Sequence, residues 1–233
     1  MADGDIVMEG RHQRRLSLVT GSIPPQPPDA VQSAVLCRNL SYVLHEASTS
    51  PNVSRFARTI LQQFVRARRA ARALAGERDE DLLPRIVLRD ERAVWAFQRA
   101  STTHVLTYAI GATSLLPRVL HLIRPRSAPP ITLWWLDRPH DRCPVRIPLF
   151  RGTATLSLPP TEGMPQWFAI LVFRPGWRSV LLDLVELVGD DALLSLTSTL
   201  ERTLRDYTDQ WWCWRPWWDR PAELVLPELR ESL

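Results

Sequence analysis

Lysine is absent from this sequence: all 29 basic residues of the 233-residue chain are arginine. Lysine is among the commonest residues of an average protein, so its absence has a cause beyond sampling. Asparagine is also scarce and is limited to Asn39 and Asn52. Three causes fit these absences: a GC-rich genome, a second reading frame that overlaps this one, and selection against side chains that accept ubiquitin. The residues leave all three open.

Cysteine is scarce as well, and Cys37, Cys143 and Cys213 lie far apart. An odd, widely spaced set argues against a disulfide framework, and the lack of a CxxC pair argues against a structural zinc site. Residues 1–18 begin with acidic side chains and have no apolar core, so they do not predict a secretory signal. These features favour a reducing compartment, the cytosol or the nucleus.

Glycine is limited to nine residues, and long apolar runs are missing. A membrane-spanning helix needs a run of roughly 18 apolar residues, so we expect no membrane span. The sequence also lacks GxSxG, Walker-type, GxGxxG and HExxH motifs, which would indicate a nucleophile, a phosphate-binding loop or a zinc site. We therefore expect a protein that is not an enzyme and that needs no metal and no cofactor.

One dense polar cluster, DRPHDRC, provides an alternative. It contains Asp137, His140, Asp141 and Cys143. These residue types could form a metal site or a Cys–His hydrolase site. The other interpretation is a charged hairpin loop between two apolar strands.

The pattern along the chain predicts an α+β protein. Residues 1–28 mix charges with small residues and prolines, which predicts a disordered tail. Residues 29–233 predict a single domain, with a helical hairpin over 29–76, a mostly antiparallel sheet over 85–174 and helices over 176–215. Short apolar runs such as IVL, AVWAF and QWFAILVF predict strands, and their short connections favour antiparallel pairing. The run WRSVLLDLVELV predicts a helix.

Arginines concentrate near the end of the second predicted helix, at Arg66, Arg68, Arg69 and Arg72. Guanidinium groups match the geometry of phosphate, so these four residues are candidates for nucleic-acid binding. The alternative is that they complement the negative C-terminal end of the helix dipole. The acidic run over 77–81 would then offset their charge.

A leucine–proline motif, LPRVL, covers residues 116–120. It fits the LPxxL core of F-box-like segments, in which proline starts a short helix and the leucines dock in an apolar groove of a partner. The alternative is a turn from strand to helix whose leucines pack inside the fold.

Together with the lysine-free, Arg-, Leu-, Pro- and Trp-rich composition, this motif resembles the polerovirus RNA-silencing suppressors. The stretch LCRNLSYVL over 36–44 is similar to a segment of the same family. The resemblance implies an accessory protein encoded in an overlapping frame. It also implies recruitment of a host SCF-type ubiquitin ligase, with loss of Argonaute, in the host cytoplasm or nucleus. Adaptor binding would then depend on Leu116, Pro117 and Leu120.

Five of the ten tryptophans lie in the short segment WWCWRPWW at 211–218. Trp211, Trp214 and Trp218 share one helical face and are candidates for a partner-binding surface, since tryptophan is common at interface hot spots. A membrane anchor, a platform for single-stranded bases and a place in the protein's own core are the alternatives.

These observations lead to one expected function and one alternative. We expect a viral-type accessory protein that acts through contacts with host proteins. The alternative is an arginine-rich structural or tegument-like protein that binds nucleic acid or virion components. The sequence leaves the oligomeric state open.

Overall fold

The structure, a computed structural model, describes residues 30–101, 104–125, 127–136, 144–150, 152–157, 167–212 and 218. The predicted tail over 1–28, the DRPHDRC cluster over 137–143 and Trp214 lie outside these residues.

Along the described residues, helices come first, helices and strands then alternate, and a run of strands precedes the last helix. The helices are α1 (Ala30–Leu44), α2 (Pro51–Ala75), α3 (Asp79–Leu82), α4 (Glu91–Arg99), α5 (Leu116–Ile123) and α6 (Ala192–Asp206). The strands are β1 (Ile86–Leu88), β2 (His104–Thr107), β3 (Thr132–Trp135), β4 (Pro144–Leu149), β5 (Gly152–Ser157), β6 (Trp167–Phe173) and β7 (Val180–Glu186). Short 3-10 turns cover Leu83–Arg85, Thr113–Leu115, Gly189–Asp191 and Thr208–Gln210. The α+β class predicted from the sequence is confirmed.

The predicted N-terminal helical hairpin is formed by α1 and α2. The Ser50 side chain accepts a hydrogen bond from the Asn52 backbone N–H, and Pro51 occupies the first helical turn, where its missing N–H costs nothing. The buried residues of α2 recur at alternating steps of four and three, so they form one continuous stripe that packs inward. They are Val53, Ala57, Ile60, Phe64, Ala67, Ala71 and Leu74.

The central sheet has five strands in the order β1-β7-β6-β2-β3. Neighbours β1 and β7, β6 and β2, and β2 and β3 run parallel, and only β6 and β7 run antiparallel. The prediction of a mostly antiparallel sheet is therefore wrong for this sheet, which is mixed. The parallel pairing of β2 with β3 arises because α5 lies between them along the chain and allows a crossover. Strands β4 and β5 form a separate antiparallel pair.

The secondary structure of two segments was predicted wrongly: one predicted strand is a helix, and one predicted helix contains a strand. The run AVWAF belongs to α4, which starts where the Asp90 carboxylate accepts hydrogen bonds from the backbone N–H groups of Arg92 and Ala93. The run WRSVLLDLVELV contains β7 instead of a helix. The Asp183 carboxylate in this strand is buried and paired with Arg89 at 3.0 Å and Arg202 at 2.8 Å.

Strand β6 is the centre of the core, and all seven of its residues are buried. Alternate side chains of a strand point to opposite faces of a sheet. On one face, Trp167 of β6 meets Phe97 of α4 edge to face, with ring centroids 5.2 Å apart. On the other face lies Asp183 of β7, opposite Ile170, where it is paired with Arg202 of α6. Helices therefore cover both faces of the sheet.

Candidate nucleic-acid interface

The described tryptophans of the C-terminal segment belong to the core. Trp211, Trp212 and Trp218 are each no more than 1% exposed. Trp218 stacks on Tyr42 of α1 with ring centroids 4.4 Å apart, and Trp212 meets Phe64 of α2 edge to face at 5.5 Å. The prediction of a partner-binding surface is wrong for Trp211 and Trp218, because partner binding needs solvent access. Trp214 lies outside the described residues.

The same segment covers the carboxyl ends of β2 and β6. In open α/β sheets a ligand crevice lies at this edge, next to the point where the strand order reverses. Here the Trp212 backbone N–H donates to the Ala109 carbonyl at 3.1 Å, and its ring N–H donates to the Gly111 carbonyl at 2.9 Å. The Gly111 N–H in turn donates to the Gln210 carbonyl at 2.8 Å. Residues 210–212 thus pack against this edge of the sheet.

The LPRVL motif is also part of the core. Leu116 and Leu120 are both 0% exposed, and Pro117 is half-buried in the first turn of α5. A docking motif needs exposed leucines, so the assignment of adaptor binding to these residues is wrong for the folded chain. The structure agrees with the alternative interpretation, in which the segment is a turn whose leucines pack inside the fold. Recruitment of a ubiquitin ligase stays a prediction, and it would need another surface.

Arg118, in the same motif, links α5 to α2. Its guanidinium donates to the carbonyls of Leu74 at 3.2 Å and Ala75 at 2.8 Å, and it pairs with the Asp79 carboxylate at 2.7 Å. The last carbonyls of a helix have no partner within the helix, so an arginine at this position caps it. Arg118 thereby links the C-terminal end of α2 to α5.

Helix α2 carries an exposed row of arginines. At 3.6 residues per turn, five of its arginines fall within roughly 120° of the helix circumference, centred roughly 170° from the buried stripe. All five are exposed, and we call this set the arginine ridge: Arg55, Arg58, Arg66, Arg69 and Arg72. With a rise of 1.5 Å per residue, the ridge is about 25 Å long.

The structure places three of the four predicted phosphate-binding residues, Arg66, Arg69 and Arg72, on the arginine ridge. The fourth, Arg68, is half-buried and lies over the Phe64 ring at 5.9 Å, outside the row. The sequence prediction missed Arg55 and Arg58. Their positions on a helix would have indicated them, because they continue the row about two and three turns before Arg66.

Along the chain, the acidic residues nearest to the ridge are Glu46 before α2 and the acidic run over 77–81 after it. Among the described residues, none of the ridge's five guanidiniums forms an ion pair with a carboxylate. Helix α2 contains no acidic residue, and residues 30–76 carry seven arginines against one carboxylate. Their net charge of +6 exceeds the +4 of the whole chain, so the rest of the chain is net acidic. The acidic run over 77–81 adds four carboxylates directly after this hairpin, and they pair with Arg78, Arg85 and Arg118 instead of the ridge. The hairpin itself is therefore basic, with an acidic segment next to its C-terminal end.

The hairpin's one carboxylate, Glu46, lies in the loop before α2. Hydrogen bonds from the side chains of Ser50 and Asn52 lower its pKa, and Arg55 adds a smaller attraction. Glu46 thus stays ionised through neutral pH and offsets part of the charge of Arg55. The other four arginines of the ridge lie further along the helix.

The described residues also bear on a metal site and on a membrane span. In the part of the chain that the structure describes, no group of three or more His, Cys, Asp or Glu side chains could hold a metal ion. Over the same residues, no helix is long and apolar enough to cross a membrane.

The described residues thus form an α+β protein in which the C-terminal tryptophans are buried and α2 carries an exposed row of arginines. Comparison of the sequence with known protein families finds no family that matches. Comparison with curated proteins finds no matching relative.

Proposed function

We propose that the protein binds the phosphate backbone of nucleic acid through the arginine ridge of α2. The observation that carries the proposal is the arrangement of five exposed arginines along one face of a helix that has no carboxylate of its own. Ordinary solvent-exposed helices alternate acidic and basic residues, which pair and cancel. The ridge instead keeps one sign of charge over about 25 Å.

Phosphate is the anion that best suits this arrangement. Guanidinium presents a planar fork of donors that matches the oxygens of phosphate, and arginine keeps its charge at all physiological pH values. Duplex DNA carries one negative charge per roughly 1.7 Å of helix axis, so a line of arginines can contact several phosphates together. Each contact releases condensed counterions, which provides affinity without sequence recognition.

A membrane surface fits the ridge less well. An interfacial helix binds a membrane by inserting its apolar face between the headgroups. The apolar face of α2 is buried within the fold, at Ile60 and Phe64 among others. Of the large apolar side chains on α2, only Val65 is prominently exposed, at 44%. The ridge therefore offers charge without an apolar anchor.

The test compares two variants with the same change in charge. One replaces three ridge arginines, Arg58→Gln, Arg66→Gln and Arg69→Gln; the control replaces three exposed arginines elsewhere, Arg92→Gln, Arg174→Gln and Arg178→Gln. Binding to fluorescently labelled nucleic acid is measured by anisotropy. The ridge variant should lose at least about tenfold in affinity, and the control should lose far less, because phosphate contacts are local at physiological salt.

Equal losses in the two variants would contradict the proposal, since the effect would then follow net charge alone. Vesicles with anionic lipid form a second arm of the experiment. Ridge-dependent binding to vesicles at an affinity equal to that for nucleic acid would also contradict it.

A further inference from the structure

The arginine ridge is divided into two groups. Arg55 and Arg58 form the first group, and Arg66, Arg69 and Arg72 form the second. Between them the same face of α2 carries two exposed, uncharged residues, Gln62 and Val65. From Arg58 to Arg66 the helix rises eight residues, a separation of about 12 Å.

This separation matches the major groove of a B-form duplex. That groove is roughly 12 Å wide and has a phosphate strand on each side. Building on the proposed function, we infer that α2 lies across the major groove of B-form DNA, with each arginine group on one of the two phosphate strands. Gln62 and Val65 then lie over the groove, between the two strands. A single strand has no second row of phosphates, and the major groove of A-form RNA is too narrow and deep for this placement.

The contacts that hold α2 in place also favour duplex DNA as the ligand. The C-terminal end of α2 is held by Arg118, and its middle is held by the ring of Trp212 against Phe64. A ridge held at both places suits a stiff duplex, whose persistence length is about 150 base pairs. Proteins that bind single strands use aromatic side chains on which the bases stack. The exposed arc of α2 that contains the ridge has no aromatic residue.

The first experiment compares three labelled ligands of equal length and mixed sequence: B-form duplex DNA, duplex RNA and single-stranded DNA. The affinity for duplex DNA should exceed those for the other two by at least about tenfold at the same salt concentration. Equal or tighter binding of single strands or of duplex RNA would overturn the inference and leave the proposed function standing, provided that the binding depends on the ridge. Loss of ridge dependence for all three ligands would overturn both.

The second experiment removes one group at a time. The double variants Arg55→Gln/Arg58→Gln and Arg66→Gln/Arg69→Gln should each reduce the preference for duplex DNA over single strands by at least about fivefold. The matched control Arg174→Gln/Arg178→Gln should keep the preference of the wild type. A first-group variant that keeps the full duplex preference would overturn the placement across the groove. Because all the substituted side chains are exposed, circular dichroism should show the same fold for every variant.

Discussion

The side-chain amide of Gln210 takes the place of a neighbouring strand for Phe173. Its Nε2 donates to the Phe173 carbonyl and its Oε1 accepts from the Phe173 N–H, both at 2.9 Å. Gln210 is 6% exposed, and its own carbonyl accepts from Gly111. The C-terminal segment is thus joined to the ends of β2 and β6 by hydrogen bonds as well as by aromatic packing.

Replacing Gln210→Leu should destabilise the fold by about 2 to 4 kcal/mol, because it leaves the buried N–H and carbonyl of Phe173 without these partners. Urea unfolding followed by far-ultraviolet circular dichroism measures the change. Gln62→Leu, at an exposed site on α2, is the control and should change the free energy of unfolding by less than about 0.5 kcal/mol. Similar values for the two variants would show that the amide pair contributes nothing.

Gly111 should be intolerant of any side chain. Its φ is +52°, and a Cβ there would lie 2.7 Å from the Cα of Val172 and 2.8 Å from the carbonyl oxygen of Leu171. Gly189 has a similar φ of +61°, but a Cβ there would meet nothing within 4 Å. Gly189→Ala should therefore cost only the conformational strain of about 1 kcal/mol, and Gly111→Ala at least about 3 kcal/mol. Equal costs in thermal or urea unfolding would contradict the close approach of the two backbones.

The burial of the LPRVL motif predicts a loss of stability when its leucines are shortened. Leu116→Ala and Leu120→Ala should each cost about 2 to 5 kcal/mol, through lost burial and the cavity that remains. Leu83→Ala, in the 3-10 turn Leu83–Arg85, is the control, because Leu83 is 50% exposed. Its cost should stay below about 1 kcal/mol.

The same set tests the ligase hypothesis at these positions. A Leu116→Ala chain that keeps wild-type stability while losing a ubiquitin-ligase adaptor would contradict the core assignment. Parallel loss of stability and adaptor binding would agree with it, because the substitution would then act through the fold.

Asp209 should make the fold less stable as the pH rises. Burial raises the pKa of this carboxyl, and a hydrogen bond from its own backbone N–H lowers it by less. Because the folded pKa exceeds the unfolded one, the cost is absent below the unfolded pKa, develops as the pH rises and is complete above the folded pKa. Asp209→Asn should therefore be more stable than the wild type near neutral pH and equal to it in acid. Urea midpoints across this range check the sign, and an advantage that persists in acid would contradict it.

Local patterns predicted some elements and not others. Helix α2 was predictable because its buried residues, from Val53 to Leu74, repeat at helical spacing along one chain segment. The wrong prediction for AVWAF was avoidable, since Asp90 is a good N-cap residue directly before it. The strand β7 was harder to predict. Asp183 is acceptable in a buried strand only because Arg89 and Arg202, distant in sequence, both contact its carboxylate.

The candidate site was partly predictable from local sequence patterns. The arginines of the ridge belong to one helix, so their shared face follows from the sequence. The burial of the tryptophans does not, because it depends on Tyr42, Phe64 and the backbone around Gly111, which come together only in the folded chain. No local feature of WWCWRPWW distinguishes a packed ring from an exposed one.

The salt dependence of nucleic-acid binding tests the central claim most directly. The logarithm of the binding constant is plotted against the logarithm of the salt concentration for three proteins: the wild type, the triple ridge variant (Arg58, Arg66 and Arg69 to Gln) and the matched triple control (Arg92, Arg174 and Arg178 to Gln). Each phosphate contact adds roughly 0.9 to the steepness of the slope, so the ridge variant should be shallower by about 2.7 and the control unchanged. The same slope in both variants, or wild-type binding that does not respond to salt, would contradict the account.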